Sequence, residues 1–303
     1  MSSTASLSSE KRPAAFSIWV QAIRPATLPA AVAPVVLGAA LAFAHGVFSF
    51  WPAAVAMVGA LLIQIGTNLA NDYFDFKKGA DTDERLGPAR VTQRGWITPN
   101  AVAAATAVTF ALAIASGLYL FAVAGWQILA VGLVGVACGV GYTGGPYPLA
   151  YVGLGDVFVL VFFGPVAVAG TYFVQAQVWS LEAALVAIPV GLLMTAILVV
   201  NNLRDRHTDE VAGKRTLVVR FGERFARWEY FALVAGSYLW MVVLVATGLG
   251  TWGWLLPLVS LPLAVTRLRS LKETDGAALN PELGATARLG LVFSALLAIG
   301  VAL

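Results

Sequence analysis

Apolar stretches of about 20 residues recur from one end of this chain to the other, each long enough to cross a hydrocarbon layer of roughly 30 Å. Nothing in the sequence constrains the fold more. In lipid a segment must satisfy its own backbone N–H and C=O groups, so such stretches fold as helices. A soluble alternative is excluded by charge: a soluble domain has roughly a quarter of its residues charged, whereas this chain has 12%, with a mean hydropathy of +0.81. We predict an all-α polytopic membrane protein with nine transmembrane helices, over residues 26–46, 50–71, 98–121, 124–141, 152–174, 181–200, 228–248, 252–267 and 283–303. The eighth is short and interrupted by Pro257 and Pro262. Residues 16–303 are expected to form one domain, after a disordered tail over 1–15 with no cleavable leader.

The basic residues orient the spans. With a cytoplasmic N-terminus, all 19 Lys and Arg fall in inner segments or, like Arg267 and Arg288, at the inner ends of spans. The loops around His45, Gly125, Gln175 and Gly250 carry none, and Glu182 is the one acid expected on that side. This asymmetry predicts a multi-pass protein of the cell membrane whose site opens to the cytoplasm. It also leaves no basic face for nucleic acid, and no protein partner is expected. The single cysteine, Cys138, lies in an apolar span and reads as a buried structural thiol.

The sparse charge is concentrated in two places. The second span ends in "IGTNLANDYFDF", where Asn68, Asp72 and Asp75 lie within about 60° of one another on a helix. The sixth ends in "ILVVNNLRDRHTDEVAGKRT", where Asn201, Asp205 and Asp209 share a stripe. Both segments run from apolar helix to Asn-x-x-x-Asp, then to further acid, glycine and bases. The match makes a degenerate internal repeat of two four-helix units plus one extra span, an arrangement that favours a site between the halves. Taken singly, such acids cap helices or meet water; two matched sets on facing helices need more explanation. The acids Asp81, Asp83 and Glu84 remain readable as a solvated loop.

Mg²⁺ takes one or two carboxylates together with phosphate oxygens. Facing Asp clusters suit Mg²⁺ bound to a diphosphate. The bases Lys77, Lys78, Arg85, Arg90, Lys214 and Arg215 are then placed to meet the remaining phosphate oxygens, and apolar helices to take a lipid tail.

These motifs resemble the UbiA superfamily of intramembrane prenyltransferases, through Asn71-Asp72-Tyr73-Phe74-Asp75 and Asp205 to Asp209. Three passages, "RPATLPAAVAPVVLG", "NDYFDFKKGADTDERLGPARV" and "NNLRDRHTDEVAGKRTLVVRFG", are similar to its branch acting on 1,4-dihydroxy-2-naphthoate, and the likeness extends over about residues 19–300. The resemblance implies a UbiA-like nine-helix bundle and Mg²⁺-dependent transfer of a polyprenyl group from its diphosphate to the naphthoate. CO₂ and pyrophosphate leave, giving demethylmenaquinone in the menaquinone pathway. It implies metal binding by Asn68, Asp72, Asp75, Asp205 and Asp209. Substrate contacts are expected from Arg24, Asn71, Asn201, Asn202 and Asp156, and Tyr142 is expected in the pocket. Tyr73, Phe74 and Tyr147 are further candidates for aromatic walls around an allylic cation.

Two departures from the superfamily pattern stand out: Gly79 occupies the place of a third Asp, and residues 142–155 contain no base. Arg24 is readable as meeting the acceptor's carboxylate, the diphosphate or lipid headgroups. Asp156 contacts substrate, pairs with a base or caps the fifth span. His207 reads as a loop residue. The rivals are a related enzyme for another aromatic acceptor, such as 4-hydroxybenzoate or homogentisate, and a cation transporter. The absence of charge at the span centres speaks against the transporter.

Overall fold

Segments with few polar side chains close their backbone hydrogen bonds internally, and every regular element among the described residues is helical. The structure is a computed structural model describing residues 13–80 and 86–303. Its helices are α1 (Ala15–Ile23), α2 (Pro29–Ala44), α3 (Phe50–Lys77), α4 (Pro99–Ala124), α5 (Trp126–Gly141) and α6 (Gly155–Val161). They continue as α7 (Ala167–Ala176), α8 (Leu181–Val211), α9 (Leu217–Ala246), α10 (Leu261–Glu273) and α11 (Leu279–Ala302). Six helical segments are long and apolar enough to cross a membrane: 50–77, 99–124, 155–176, 181–211, 217–246 and 276–302. A seventh is added if the segment 15–44, bent by 52°, counts as one span, while α5 is shorter. The expected eighth span divides into a 3₁₀ stretch, Trp252–Ser260, and α10. Pro262 falls in the first turn of α10, where a helix needs no donor.

Both helices that carry the acidic motifs outrun their expected spans. α3 has 28 residues and α8 has 31, or about 42 and 46 Å at 1.5 Å per residue. A bilayer core of roughly 30 Å leaves several turns of each outside it. The acids are therefore presented on rigid helix instead of on loops.

Helix α3 packs along α4, and α8 along α9; these are the equivalent pairs of the two halves. Helix α11 lies against α2 and α8. The main core joins α2, α7, α8, α9 and α11 through Leu37, Val168, Leu193, Tyr230 and Phe293. Buried hydroxyls find partners there: Tyr230 with Thr286 at 2.9 Å and Tyr238 with Ser260 at 2.6 Å. Between α6 and α7 the chain makes a π turn, Phe162–Val166, containing Pro165. The turn brings Gly164 onto Gly191 of α8, where a Cβ on Gly191 would stand 2.5 Å from the Leu160 carbonyl oxygen. Only glycine permits that approach.

At the ends of α2 and α8 remote from the acidic motifs, His45 contacts Tyr172 Oη at 2.8 Å through Nδ1 and Glu182 at 3.4 Å through Nε2. This histidine belongs to a polar cluster at the opposite helix ends from the two acidic motifs. His207 is exposed on α8 rather than in a loop.

Candidate active site

A cavity of about 410 Å³ runs from the acidic ends of α3 and α8 into the apolar bundle. Its polar end is lined by Arg24, Asn68, Asn71, Asp75, Arg90 and Tyr142, and by Asn201, Asn202, Asp205, Asp209 and Lys214. Its apolar length includes Ala60, Gly132, Ile128, Val131, Phe158 and Val174. Cys138 is part of this wall, which corrects the expectation of a buried structural thiol.

The two acidic helix ends meet. Lys214 Nζ lies 3.5 Å from Asp75 of α3 and 3.4 Å from Asp209 of α8, so one ammonium holds carboxylates from both halves. Asp75 is 1% exposed, and also accepts from Arg90 at 3.1 Å and from Tyr151 Oη at 3.0 Å. Asp205 is gripped from behind by Arg204, whose Nε and Nη2 donate to its two oxygens at 2.8 and 2.6 Å. The same guanidinium donates to Asn201 at 2.8 Å and to Asn280 at 2.9 Å. Arg204 is 2% exposed and does not line the cavity; its planar fork orients groups that do.

Asp72 turns away, and the expectation that it lines the site with Asp75 is corrected. Its carboxylate is 2% exposed and accepts from the backbone N–H groups of Val91 and Thr92, each at 3.2 Å. The cavity-facing stripe of α3 passes through Gln64, Asn68, Asn71 and Asp75, and Asp72 lies on its flank. Asp72 anchors the segment that carries Arg90. Asn68 donates to the Ile23 carbonyl at 2.8 Å and to Thr27 at 2.9 Å, fastening α3 to the turn at Arg24. Arg24 itself has a left-handed backbone, φ 56°, a strained state for a non-glycine residue.

Six further residues expected to face the substrate stand off the cavity wall. Lys77 is exposed, with Nζ 5.7 Å from the Tyr73 ring centroid. Arg215 points outward, while its backbone joins Tyr151 through a 2.9 Å hydrogen bond. Asp156 is 6% exposed in the first turn of α6, but does not line the cavity. Tyr147 is 81% exposed, and Tyr73 and Phe74 pack outside the cavity. The ring walls come instead from Tyr142, Phe158, Phe162 and Phe163, with Phe158 and Phe162 stacked at 5.8 Å. Arg85 and the acids at 81, 83 and 84 lie outside the described residues.

Burial, then the carboxylates of Asp156, Asp209 and Asp75, push the Tyr142 phenol above its ordinary pKa, so it remains a neutral donor. Lys78 is exposed and stands outside the cavity lining; desolvation draws its ammonium below its ordinary value against the opposing pull of Asp75.

The donor set fits a hard divalent cation. An ammonium already stands between Asp75 and Asp209, where a cation is favoured. Among the described residues no three His, Cys, Asp or Glu side chains converge into an all-protein cage. Mg²⁺ does not require one, because it keeps water and takes oxygens from phosphate.

Residues 31–283 match the family model described as the UbiA prenyltransferase family. The chain belongs to the UbiA prenyltransferase family. This UbiA member is 40% identical over 291 residues to the 1,4-dihydroxy-2-naphthoate octaprenyltransferase of Escherichia coli, covering 93% of this chain and 94% of that one. It is also 40% identical over 265 residues to the enzyme of the same name from Mycobacterium tuberculosis, covering 87% and 89%. Its fold is similar to that of a UbiA homolog from Archaeoglobus fulgidus solved with GPP and Mg²⁺, with a TM-score of 0.60 and 15% identity over 92% of this chain and 99% of that one.

Three features of this UbiA site escaped the sequence reading: Arg204, Tyr151 and the phenylalanines of α6 and the π turn, Phe158, Phe162 and Phe163. The passages "NNLRDRHTDE" and "VFVLVFFG" contain signals for two of them, a buried-end arginine beside an acid and aromatic residues at helical spacing. Tyr151 had no such signal.

Proposed function

We propose that this chain transfers a polyprenyl group from its diphosphate to 1,4-dihydroxy-2-naphthoate within the cell membrane. The supporting observation is the junction of α3 and α8, where Asp75 and Asp209 share Lys214 at the mouth of a cavity that continues among apolar walls. A diphosphate with a long hydrocarbon tail has the same division of character. The acceptor is inferred from the 40%-identical relatives. The reading includes nine membrane crossings, a cytoplasmic N-terminus and site mouth, and one catalytic domain over 16–303, supported by the one-sided placement of Lys and Arg.

Asn71, Asp75, Asp205 and Asp209 would hold Mg²⁺, which when bound supplies positive charge against the diphosphate as it departs. Arg90, Lys214 and Arg24 receive the other phosphate oxygens. Arg204 keeps Asp205 and Asn201 in place from behind. Cleavage of the allylic C–O bond leaves the electron pair on the diphosphate, in a water-poor site already arranged for negative charge. The faces of Tyr142, Phe158, Phe162 and Phe163 attract the allylic cation and do not trap it as an alcohol. The naphthoate ring carbon bearing the carboxylate then bonds to the cation. Loss of CO₂ returns its bonding pair to the ring, and the product is the prenylated hydroquinone.

Purified protein supplied with labelled polyprenyl diphosphate and a panel of aromatic acids tests this reading. Dihydroxynaphthoate should be prenylated with release of CO₂, and chelator should stop the reaction. Consumption of 4-hydroxybenzoate or homogentisate with dihydroxynaphthoate untouched would refute the acceptor assignment.

A further inference from the structure

The loop from Tyr142 to Gly155 reaches the mouth of the site without a single base. The charge it lacks arrives from both sides onto one of its rings. Lys78, at the tip of α3, places Nζ 4.4 Å from the Tyr151 ring centroid and donates to the Thr143 carbonyl at 2.7 Å. Lys214, from the α8–α9 connection, stands 5.2 Å from the same centroid. The Tyr151 hydroxyl donates to Asp75 at 3.0 Å, and its carbonyl accepts from the Arg215 N–H at 2.9 Å. One aromatic side chain thus touches a carboxylate from the first motif and two ammoniums from opposite halves of the molecule.

We propose that Tyr151 is a positioning residue for the diphosphate: its ring gathers Lys78 and Lys214 into a clamp that replaces a base on the loop. Two ammoniums near one another repel and, left alone, extend into water. The electron-rich ring face seats Lys78 without neutralising it, and it gives Lys214 a further contact beside the carboxylates of Asp75 and Asp209 that already hold it. The hydroxyl meanwhile steadies Asp75, so the lysines and the carboxylate keep a common register. The inference rests on the prenyl diphosphate reading above and adds which residues grip the headgroup.

The test measures binding of inorganic pyrophosphate, with Mg²⁺, to purified wild-type protein and to Tyr151→Leu, Tyr151→Phe and Lys78→Met, alongside KM for each substrate. Losing two cation–ring contacts should weaken pyrophosphate binding by about tenfold in Tyr151→Leu. KM for the prenyl diphosphate should rise similarly, while KM for the aromatic acceptor stays unchanged. Tyr151→Phe keeps the ring and loses only the hydrogen bond to Asp75, so it should restore most of the affinity and separates the ring's contribution from the hydroxyl's. Lys78 is exposed, so Lys78→Met provides a folded variant even if Tyr151→Leu fails to fold, and it should also bind pyrophosphate more weakly. Unchanged affinity in Tyr151→Leu, or in Lys78→Met, overturns the clamp while leaving prenyl transfer intact. Wild-type protein that ignores pyrophosphate and prenyl diphosphate alike overturns both readings.

Discussion

Replacing Asp72 by alanine separates two roles that the motif alone confounds. If Asp72 holds metal, Asp72→Ala should resemble Asp75→Ala, with activity lost and the fold intact. The structure gives Asp72 a different task, accepting two backbone N–H groups from Val91 and Thr92 at 3.2 Å each. Hydrogen bonds to a charged group contribute about 1.5–3 kcal/mol apiece. Both donors belong to buried residues, 0% and 3% exposed, so water does not readily replace the carboxylate. The variant should therefore lose roughly 3–6 kcal/mol of local stability in the 86–97 segment. Because that segment carries Arg90, which pairs with Asp75, KM for the prenyl diphosphate should rise. The Mg²⁺ concentration giving half-maximal rate should not. Hydrogen exchange of the Val91 and Thr92 amides reads the first effect, and a metal titration of activity reads the second. Asp75→Ala should show the opposite pattern, with metal dependence shifted and segment 86–97 still protected. An Asp72→Ala protein with native amide protection and a greatly raised Mg²⁺ requirement would refute the anchoring argument.

Further consequences can be checked separately. Arg204→Met strands the buried Asp205 carboxylate, so it should cost about 3–5 kcal/mol by thermal or denaturant unfolding. Arg204→Met combined with Asp205→Asn should recover part of this, giving a coupling energy in a double-mutant cycle. Phe162→Ala removes a ring wall and should divert some turnover to prenyl alcohol, detectable by chromatography of the lipid products. Gly191→Val should prevent folding outright, because its side chain would enter the Leu160 carbonyl; expression with normal yield and activity would contradict the packing. The hydrogen bond from Arg206 holds the Asp275 pKa down at about 2, against 3.8 for the free group. Its contribution to stability is present above about pH 4 and lost as pH falls through 2. Asp275→Asn should flatten that part of the acid unfolding curve.

The chain's periodicity and charge determine a great deal unaided. Apolar length demands helices, because a lipid interior offers backbone groups no other partner. The placement of Asn, Asp, Lys and Arg marks the two helix ends at which chemistry is concentrated, and the cavity-lining Asn68, Asn71, Asp75, Asn201, Asn202, Asp205 and Asp209 are identifiable there, while the lining Thr27, Gln64, Thr67 and Thr143 are not. What helical spacing cannot resolve is the side of a 60° arc that faces the site. Asn68, Asp72 and Asp75 satisfy the same stripe, yet the packing of residues 86–97 takes Asp72 and leaves Asp75 to the cavity. Likewise, length alone does not say where a helix leaves the membrane, so α3 and α8 run on past their apolar parts. Tertiary structure alone makes Lys214 a bridge between the halves, seats Lys78 on Tyr151 and puts Arg204 behind Asp205. Each depends on the crossing of helices far apart in the chain, and no local pattern encodes that crossing.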